Sequence, residues 1–272
     1  MITFPNAKIN IGLNILSRRA DGYHNLQTVF YPVAVKDALE IIDAPEQDAR
    51  VEFSSSGLVI NGNQEDNLCI KAYHLLQSDF PQITPVKVHL HKAIPMGAGM
   101  GGGSADAAFM LQLLNHKFQL GLSVAELVQY AGQLGSDCPF FILNKPCFAT
   151  GRGEIMEPIQ LDLSAYKILI VNPGVHINTG MAFSKINAGE HDTDLKKWIM
   201  QPVALWKNYI INDFERPVFD KYPEIAVIKD ELYKNGALYA SMTGSGSTVY
   251  GIFEADNQPS VNFTPGYFRQ WV

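Results

Sequence analysis

Residues 94 to 104 read Ile-Pro-Met-Gly-Ala-Gly-Met-Gly-Gly-Gly-Ser, with glycine at five of the seven positions from 97 to 103. The run separates a stretch with strand periodicity from an Ala-rich stretch with helical periodicity, so it leaves backbone N–H groups unpaired at a helix N-terminus. Such a terminus binds phosphate, because its N–H groups meet the positive end of the helix dipole there. A flexible turn is the plain alternative. Gly97, Gly99 and Gly102 match the dinucleotide spacing, but no second strand ending in an acidic residue follows about twenty positions on. Ser123 opens another helix instead. Gly97 to Ser104 also fits the Walker spacing, except that Gly103 stands where the lysine belongs. A cation for an anionic ligand must then come from elsewhere, and Lys8 and Lys92, each on or at the end of a strand, are the candidates.

Other residue types invite chemistry as well. Asp137, past a helix end and before Cys138-Pro139, is either a carboxylate able to take a proton or a turn-forming aspartate before proline. Lys8 and Asn10 share the polar face of an alternating strand, which serves a site or a solvated surface equally. Ser104 can cap the Ala-rich helix, a role compatible with a hydroxyl contact to phosphate or magnesium. Tyr23 and His24 follow Asp21-Gly22, a turn expected to aim both side chains outward, with an ordinary aromatic pair on a loop as the alternative. His89 and His91 share one strand face, yet no third ligand follows at useful spacing, so they read as solvated strand residues and no structural metal is expected.

The elements that must position these residues are legible in part. Ala7, Ile9, Ile11, Leu13 and Ile15 alternate with polar or small residues, the period of a half-buried strand. Further strands are expected over 39–42, 51–54 and 86–92, with Asn61-Gly62 marking a turn. Helices are expected over 68–77 and 105–118. Ser123 to Glu126 reads as a capping box opening a helix that Gly135 can end. Past Arg152 come a strand over 167–171, helices near Thr193, Asp213 and Glu224, and two strands flanking Thr243 to Thr248. A boundary near Glu157 divides the chain into residues 1–156 and 157–272, with no repeat and no low-complexity linker.

Bulk properties narrow the class. The chain has 272 residues, 47% of them apolar, enough for a sizeable core in one large or two modest domains. A formal charge of −6 argues against a broad electrostatic footprint for nucleic acid or an anionic membrane. Cys69, Cys138 and Cys147 lie far apart without metal-type spacing and read as reduced, buried thiols, which favours a cytoplasmic location. Met1 to Asn10 lack a leader pattern, and no stretch has transmembrane length.

Pro95-Met-Gly-Ala-Gly-Met-Gly-Gly-Gly-Ser-Ala-Asp-Ala107 resembles the phosphate loop of the GHMP kinases. Ala7-Lys-Ile-Asn10, Arg19-Ala-Asp-Gly-Tyr-His24 and Leu134-Gly-Ser-Asp-Cys-Pro-Phe-Phe141 are similar to the opening strand, cytidine-reading loop and catalytic-aspartate segment of the diphosphocytidyl-methylerythritol kinases within that family. Asn172-Pro-Gly-Val and Thr243-Gly-Ser-Gly-Ser-Thr248 match later motifs in order, so the resemblance runs from about residue 5 to 253. Met100 stands where the family usually has Leu, and Ala105 where it often has Ser.

The resemblance implies an α/β fold of two domains: an N-terminal ribosomal-protein-like half carrying the glycine loop, and a C-terminal ferredoxin-like sandwich. It implies transfer of phosphate from ATP, with Mg2+, to the 2-hydroxyl of a cytidine-bearing methylerythritol. The catalytic residues would be Lys8 and Asp137. ATP would rest on Asn67, Lys92, Pro95, Met96, Gly97, Ala98, Gly99, Met100, Gly101, Gly102, Gly103, Ser104 and Ala105. The acceptor would meet Asn10, Tyr23, His24, Thr179 and Phe183, with Phe183 closing the cytosine stack or packing in the core. Another small alcohol such as mevalonate or homoserine, or a nucleotide-binding module without catalysis, are the alternatives.

Overall fold

The structure, a computed structural model, describes residues 1–44, 51–186 and 194–272, leaving aside the side chain of Ser184. Contacts group the chain into two units that interleave along it. The first comprises Met1–Ala7, Ala34–Met96 and Gly101–Asn144; the second comprises Lys8–Val33, Gly97–Met100 and Lys145–Val272.

In the first unit, β1 (Ile2–Thr3), β4 (Ala38–Asp43), β5 (Glu52–Gly57) and β6 (Val86–Lys92) form a sheet of order β1-β4-β6-β5. β4 runs antiparallel to β6, and β5 runs parallel to it. Parallel neighbours need a crossover, so Asn61-Gly62 belongs to no hairpin and instead leads into helix α1 (Leu68–Asp79). β6 alternates cleanly, with Val86, Val88, Leu90 and Lys92 buried. His89 and His91 lie on the other face, bonded to the hydroxyls of Ser54 and Ser56.

Helix α2 (Gly102–Lys117) starts three residues before its expected onset and buries Ala105, Ala107, Ala108, Met110, Leu111, Leu113 and Leu114. It is apolar nearly all round because α1, α3 (Val124–Leu134) and α4 (Cys138–Leu143) pack against it, and its alanines let them approach. The capping box of α3 forms with both arms, Ser123 with Glu126, and Gly135 is its C-cap.

The second unit holds two sheets. One has the order β2-β3-β7-β8, from β2 (Asn6–Arg18), β3 (His24–Lys36), β7 (Cys147–Thr150) and β8 (Ile155–Pro158). The other has the order β10-β11-β9-β12, antiparallel throughout, from β9 (Tyr166–Asn172), β10 (Tyr239–Met242), β11 (Val249–Glu254) and β12 (Phe268–Trp271). β12 lies in the terminal stretch where no motif was visible; it pairs with β9, and Trp271 packs edge-on against Phe253. The connecting helices are α5 (Thr179–Ser184), α6 (Leu195–Trp198), α7 (Val203–Trp206), α8 (Glu215–Lys221) and α9 (Pro223–Lys234), of which α9 covers β10 and β11. Thr193, where a helix was expected, lies outside the described residues; α6 begins two residues later.

One expectation fails instructively. β2 is not half-buried: its polar face is as enclosed as its apolar one, with Lys8, Asn10 and Asn14 no more than 3% exposed. Alternation reports which residues share a face but not what covers it, and here polar partners do.

Candidate active site

Gly97, Gly99 and Gly101 adopt φ of 61°, 78° and 70°, a region that side chains with a Cβ rarely enter. At Gly99 there is also no space, since a Cβ would lie 2.0 Å from the carbonyl oxygen of Thr243. Within the second unit, three successive loop carbonyls are taken by donors. Ala98 O accepts from Thr248 N (3.3 Å) and Met100 O from Lys8 N (3.0 Å). Gly99 O accepts from both Lys8 Nζ and Thr243 Oγ1, each at 3.0 Å. A loop that is to hold an anion must turn its carbonyls aside in this way.

Gly101, not Ser104, is the N-cap of α2. Ser104 is the third helical residue, and its hydroxyl bonds the Cys138 thiol, whose pKa burial nonetheless pushes up to about 11. The positive end of this 16-residue helix has no side-chain cap and no acidic residue in its first turn to offset it.

In the first unit a cavity of about 390 Å3 opens beside this helix start. Asn67, Lys92, Met96 and Gly103, all expected at the nucleotide, line it together with Phe53, Leu68, Leu90 and Asp106. Its wall is apolar enough to take a flat ring, with a few polar groups for orientation. Asn67 is partly committed: its Oδ1 accepts from Cys69 N at 2.9 Å and caps α1.

Lys92 does not serve as a free cation. Its ammonium is buried and paired with Asp37 and, at 2.7 Å, with Asp106. Burial pulls its pKa down, but the two carboxylates outweigh that and hold it raised. Asp106 is pushed up to about 7, chiefly by burial; the Lys92 charge opposes this and the Asp37 charge adds to it. Two carboxylates around one ammonium are a net negative charge in the interior, and a proton near neutrality relieves it.

Lys8 is the other candidate. Its Nζ reaches Asn10 Oδ1 (2.5 Å) and Gly99 O, and lies 5.1 Å from the centre of the Phe30 ring. Asn10 donates through Nδ2 to Thr28 Oγ1 at 2.9 Å, and Thr243 Oγ1 meets its Oδ1 at 3.2 Å. Both ends of the amide are thus engaged by protein, which makes Asn10 a residue that holds Lys8 in place. Asp137 occupies the N-cap position of α4 with helical backbone angles, half-buried, its carboxylate not spent on the cap.

The aromatic set is arranged differently from expectation. Tyr23 points outward, 56% exposed, with the Arg152 guanidinium 4.9 Å over its ring. His24 points inward and stacks directly on Phe183, centroids 4.8 Å apart and planes 13° from parallel, which leaves no slot for a base between them. Phe183 also meets Phe214 edge-on and joins the core cluster of this unit. Burial, helped by the Arg18 charge, lowers the His24 pKa and keeps the ring neutral. Thr179 starts α5, its hydroxyl 3.1 Å from that of Ser245.

Three positioning residues escaped the sequence reading. Asn212 Nδ2 donates to Met242 O (2.7 Å) and Gly244 O (2.9 Å), and Asn172 Nδ2 to Ser247 and Thr248 hydroxyls, so the Thr243 to Thr248 turn is held from both sides. Asp37 is the third. Asn172 lay inside a noted motif; Asn212 and Asp37 carried no local pattern.

The family description "GHMP kinases N terminal domain" matches residues 67–145, and "GHMP kinases C terminal" matches residues 197–261. A Bacteroides thetaiotaomicron protein named 4-diphosphocytidyl-2-C-methyl-D-erythritol kinase is 56% identical over 94% of this chain and 93% of its own. The chain belongs to the GHMP kinases. A Bacteroides fragilis relative of the same name is 54% identical over 95% of this chain and 94% of its own. The crystal structure of a 4-(cytidine 5'-diphospho)-2C-methyl-D-erythritol kinase superposes with a TM-score of 0.77 at 29% identity, covering 93% of this chain and 90% of that one. The chain is accordingly a kinase, an ATP-dependent phosphotransferase with the two-domain α/β fold of its family.

Two outcomes follow for this GHMP kinase. Gly99→Ala forces a Cβ against Thr243 O and should cost about 1–3 kcal/mol of stability by denaturant titration, with weaker ATP binding in calorimetry. Wild-type behaviour would mean the loop backbone tolerates other conformations. Asp106 binds its proton more tightly folded than unfolded, so its contribution to stability falls as pH rises from about 4 to about 7. Asp106→Asn should flatten that dependence in unfolding titrations; parallel pH profiles would show that Asp106 ionises normally.

Proposed function

We propose that this kinase transfers the γ-phosphoryl group of ATP to the 2-hydroxyl of 4-diphosphocytidyl-2-C-methyl-D-erythritol, in non-mevalonate isoprenoid-precursor synthesis. The observation that carries the reading is the near-full-length likeness to relatives of that name. The cavity beside the start of α2 supports the nucleotide half of it, with the base against Phe53, Leu90 and Met96, near Asn67, and the phosphates on the N–H groups from Gly97 to Ala105.

Asp137 takes the hydroxyl proton, and Lys8, held by Asn10 and Gly99 O, neutralises charge on the transferred group. At the acceptor's cytosine, exposed Tyr23 offers the stacking face and neutral His24 the edge hydrogen bonds, while Phe183 fixes the His24 plane from behind. Thr179 bounds the same end. Mg2+ would enter with ATP and offset phosphate charge when bound; among the described residues no group of three His, Cys, Asp or Glu side chains is gathered that could hold a metal ion. No described helix is long and apolar enough to cross a membrane; our assignment to the cytoplasm rests on the three free, buried cysteines. We divide the chain functionally near residue 157, between the two matched family segments.

ADP release over a panel of alcohols tests the substrate: signal is expected with the cytidine-bearing acceptor and not with mevalonate or homoserine. Turnover with mevalonate or homoserine instead would overturn the assignment. Asp137→Asn should then lower kcat by about 10² to 10⁴ while both substrates still bind, and Lys8→Met should do likewise. The double variant should be far less impaired than the product of the two losses. Near-normal turnover of Asp137→Asn removes the base from this position.

A further inference from the structure

We infer that Asp37 is a positioning residue for the glycine loop, fastening both of its anchor points through one buried ion cluster. Resting on the reading of that loop as the triphosphate site, the inference concerns how the site keeps its shape.

The first anchor is the end of β6. Asp37 Oδ1 accepts hydrogen bonds from two consecutive backbone groups, Ala93 N at 2.6 Å and Ile94 N at 2.8 Å, and its Oδ2 pairs with Lys92 Nζ. One carboxylate thereby holds the three residues that lead into Pro95 and the loop. The second anchor is α2 itself, where Asp106, just past the first turn, takes the same ammonium at 2.7 Å. Gly102, the first helical residue, packs so closely that an added Cβ would lie 2.9 Å from Lys92 Nζ. The loop thus leaves and rejoins the first unit within reach of a single ammonium.

Full burial gives the cluster its stiffness. Asp37 is 0% exposed, Lys92 2% and Asp106 3%, so bulk water has little access to their bonds. Breaking such a buried network leaves an uncompensated charge, which is far costlier than losing an exposed pair. Asp106 and Lys92 face Asp37, and the buried Cys69 thiol of α1 feels all three; its pKa is driven well up by burial, so it stays neutral. The loop's N–H groups can be preorganised only if its two ends keep their separation, and misplacement by about 1 Å is enough to cost orders of magnitude in function.

Asp37→Asn keeps shape but loses the charge that holds Lys92, and competition against ATP by inorganic tripolyphosphate and by adenosine reads the consequence. Tripolyphosphate inhibition and the KM for ATP should weaken about tenfold or more, while adenosine inhibition and the KM for the alcohol stay near wild type. Unchanged or tighter tripolyphosphate binding would overturn the proposal, since a Lys92 released to the phosphates predicts that result. Equal losses for adenosine would assign Asp37 to general folding and overturn it too. If wild type is not inhibited by tripolyphosphate at all, the reading of the loop has failed, separately from the role of Asp37. Should Asp37→Asn not fold, Asp37→Ser retains one short acceptor. Amide hydrogen exchange on the wild-type chain decides in either case: slow exchange at Ala93 and Ile94 is expected, and exchange at the rate of an exposed loop refutes the anchoring.

Discussion

An anion can settle on a backbone only where the carbonyl groups point elsewhere, and that constraint organises the second unit around Gly99. Its oxygen is claimed by the Lys8 ammonium and the Thr243 hydroxyl, and its α-carbon approaches Thr243 so closely that no other residue fits. Thr243 is held in turn by the turn that Asn212 and Asn172 brace. Lys8 is aimed by Asn10, which Thr28 anchors. Lys8, Asn10, Thr28 and Asn172, buried polar residues of that unit's strands, therefore trace back to one carbonyl.

Charge is used sparingly in this protein. A chain with a net charge of −6 offers a polyanion the backbone dipoles of a glycine loop and a helix terminus rather than a broad basic surface. Of the two lysines within the motif region, Lys92 is consumed by Asp37 and Asp106 and stiffens the frame. Lys8 stays near the loop, its ammonium on Asn10 Oδ1 and Gly99 O. Under the proposed function, frame and catalysis would draw on different strands, so the loop would need no lysine of its own.

Much of this was legible in the residues. The glycine spacing announced the loop, the capping box set the start of α3, and β6 was bounded to the residue, because local rules govern all three. The register of β6 even carried an unread signal, since Lys92 follows Val86, Val88 and Leu90 on the buried face, where a lysine requires an ionic partner. What stayed hidden was non-local. No pattern near Asp37 says that it meets residues 92–94, and nothing near Asn212 says that it braces a turn thirty residues on. The enclosure of the polar face of β2 and the direct His24 and Phe183 stack likewise depend on segments far apart in the chain. Ser104 was misplaced as a cap for a local reason: Gly101 in the left-handed region already turns the chain, so the helix begins earlier.

In the proposed site, backbone amides at the start of α2, rather than a lysine side chain, carry the triphosphate. This arrangement is tested most directly by amide-resolved nuclear magnetic resonance during titration with a non-hydrolysable ATP analogue and Mg2+. Large shifts and slowed solvent exchange are expected at the N–H groups of Gly101, Gly102, Gly103 and Ser104, with the Lys92 ammonium signal unmoved. Shifts centred on Lys92 with the four amides unchanged would contradict it.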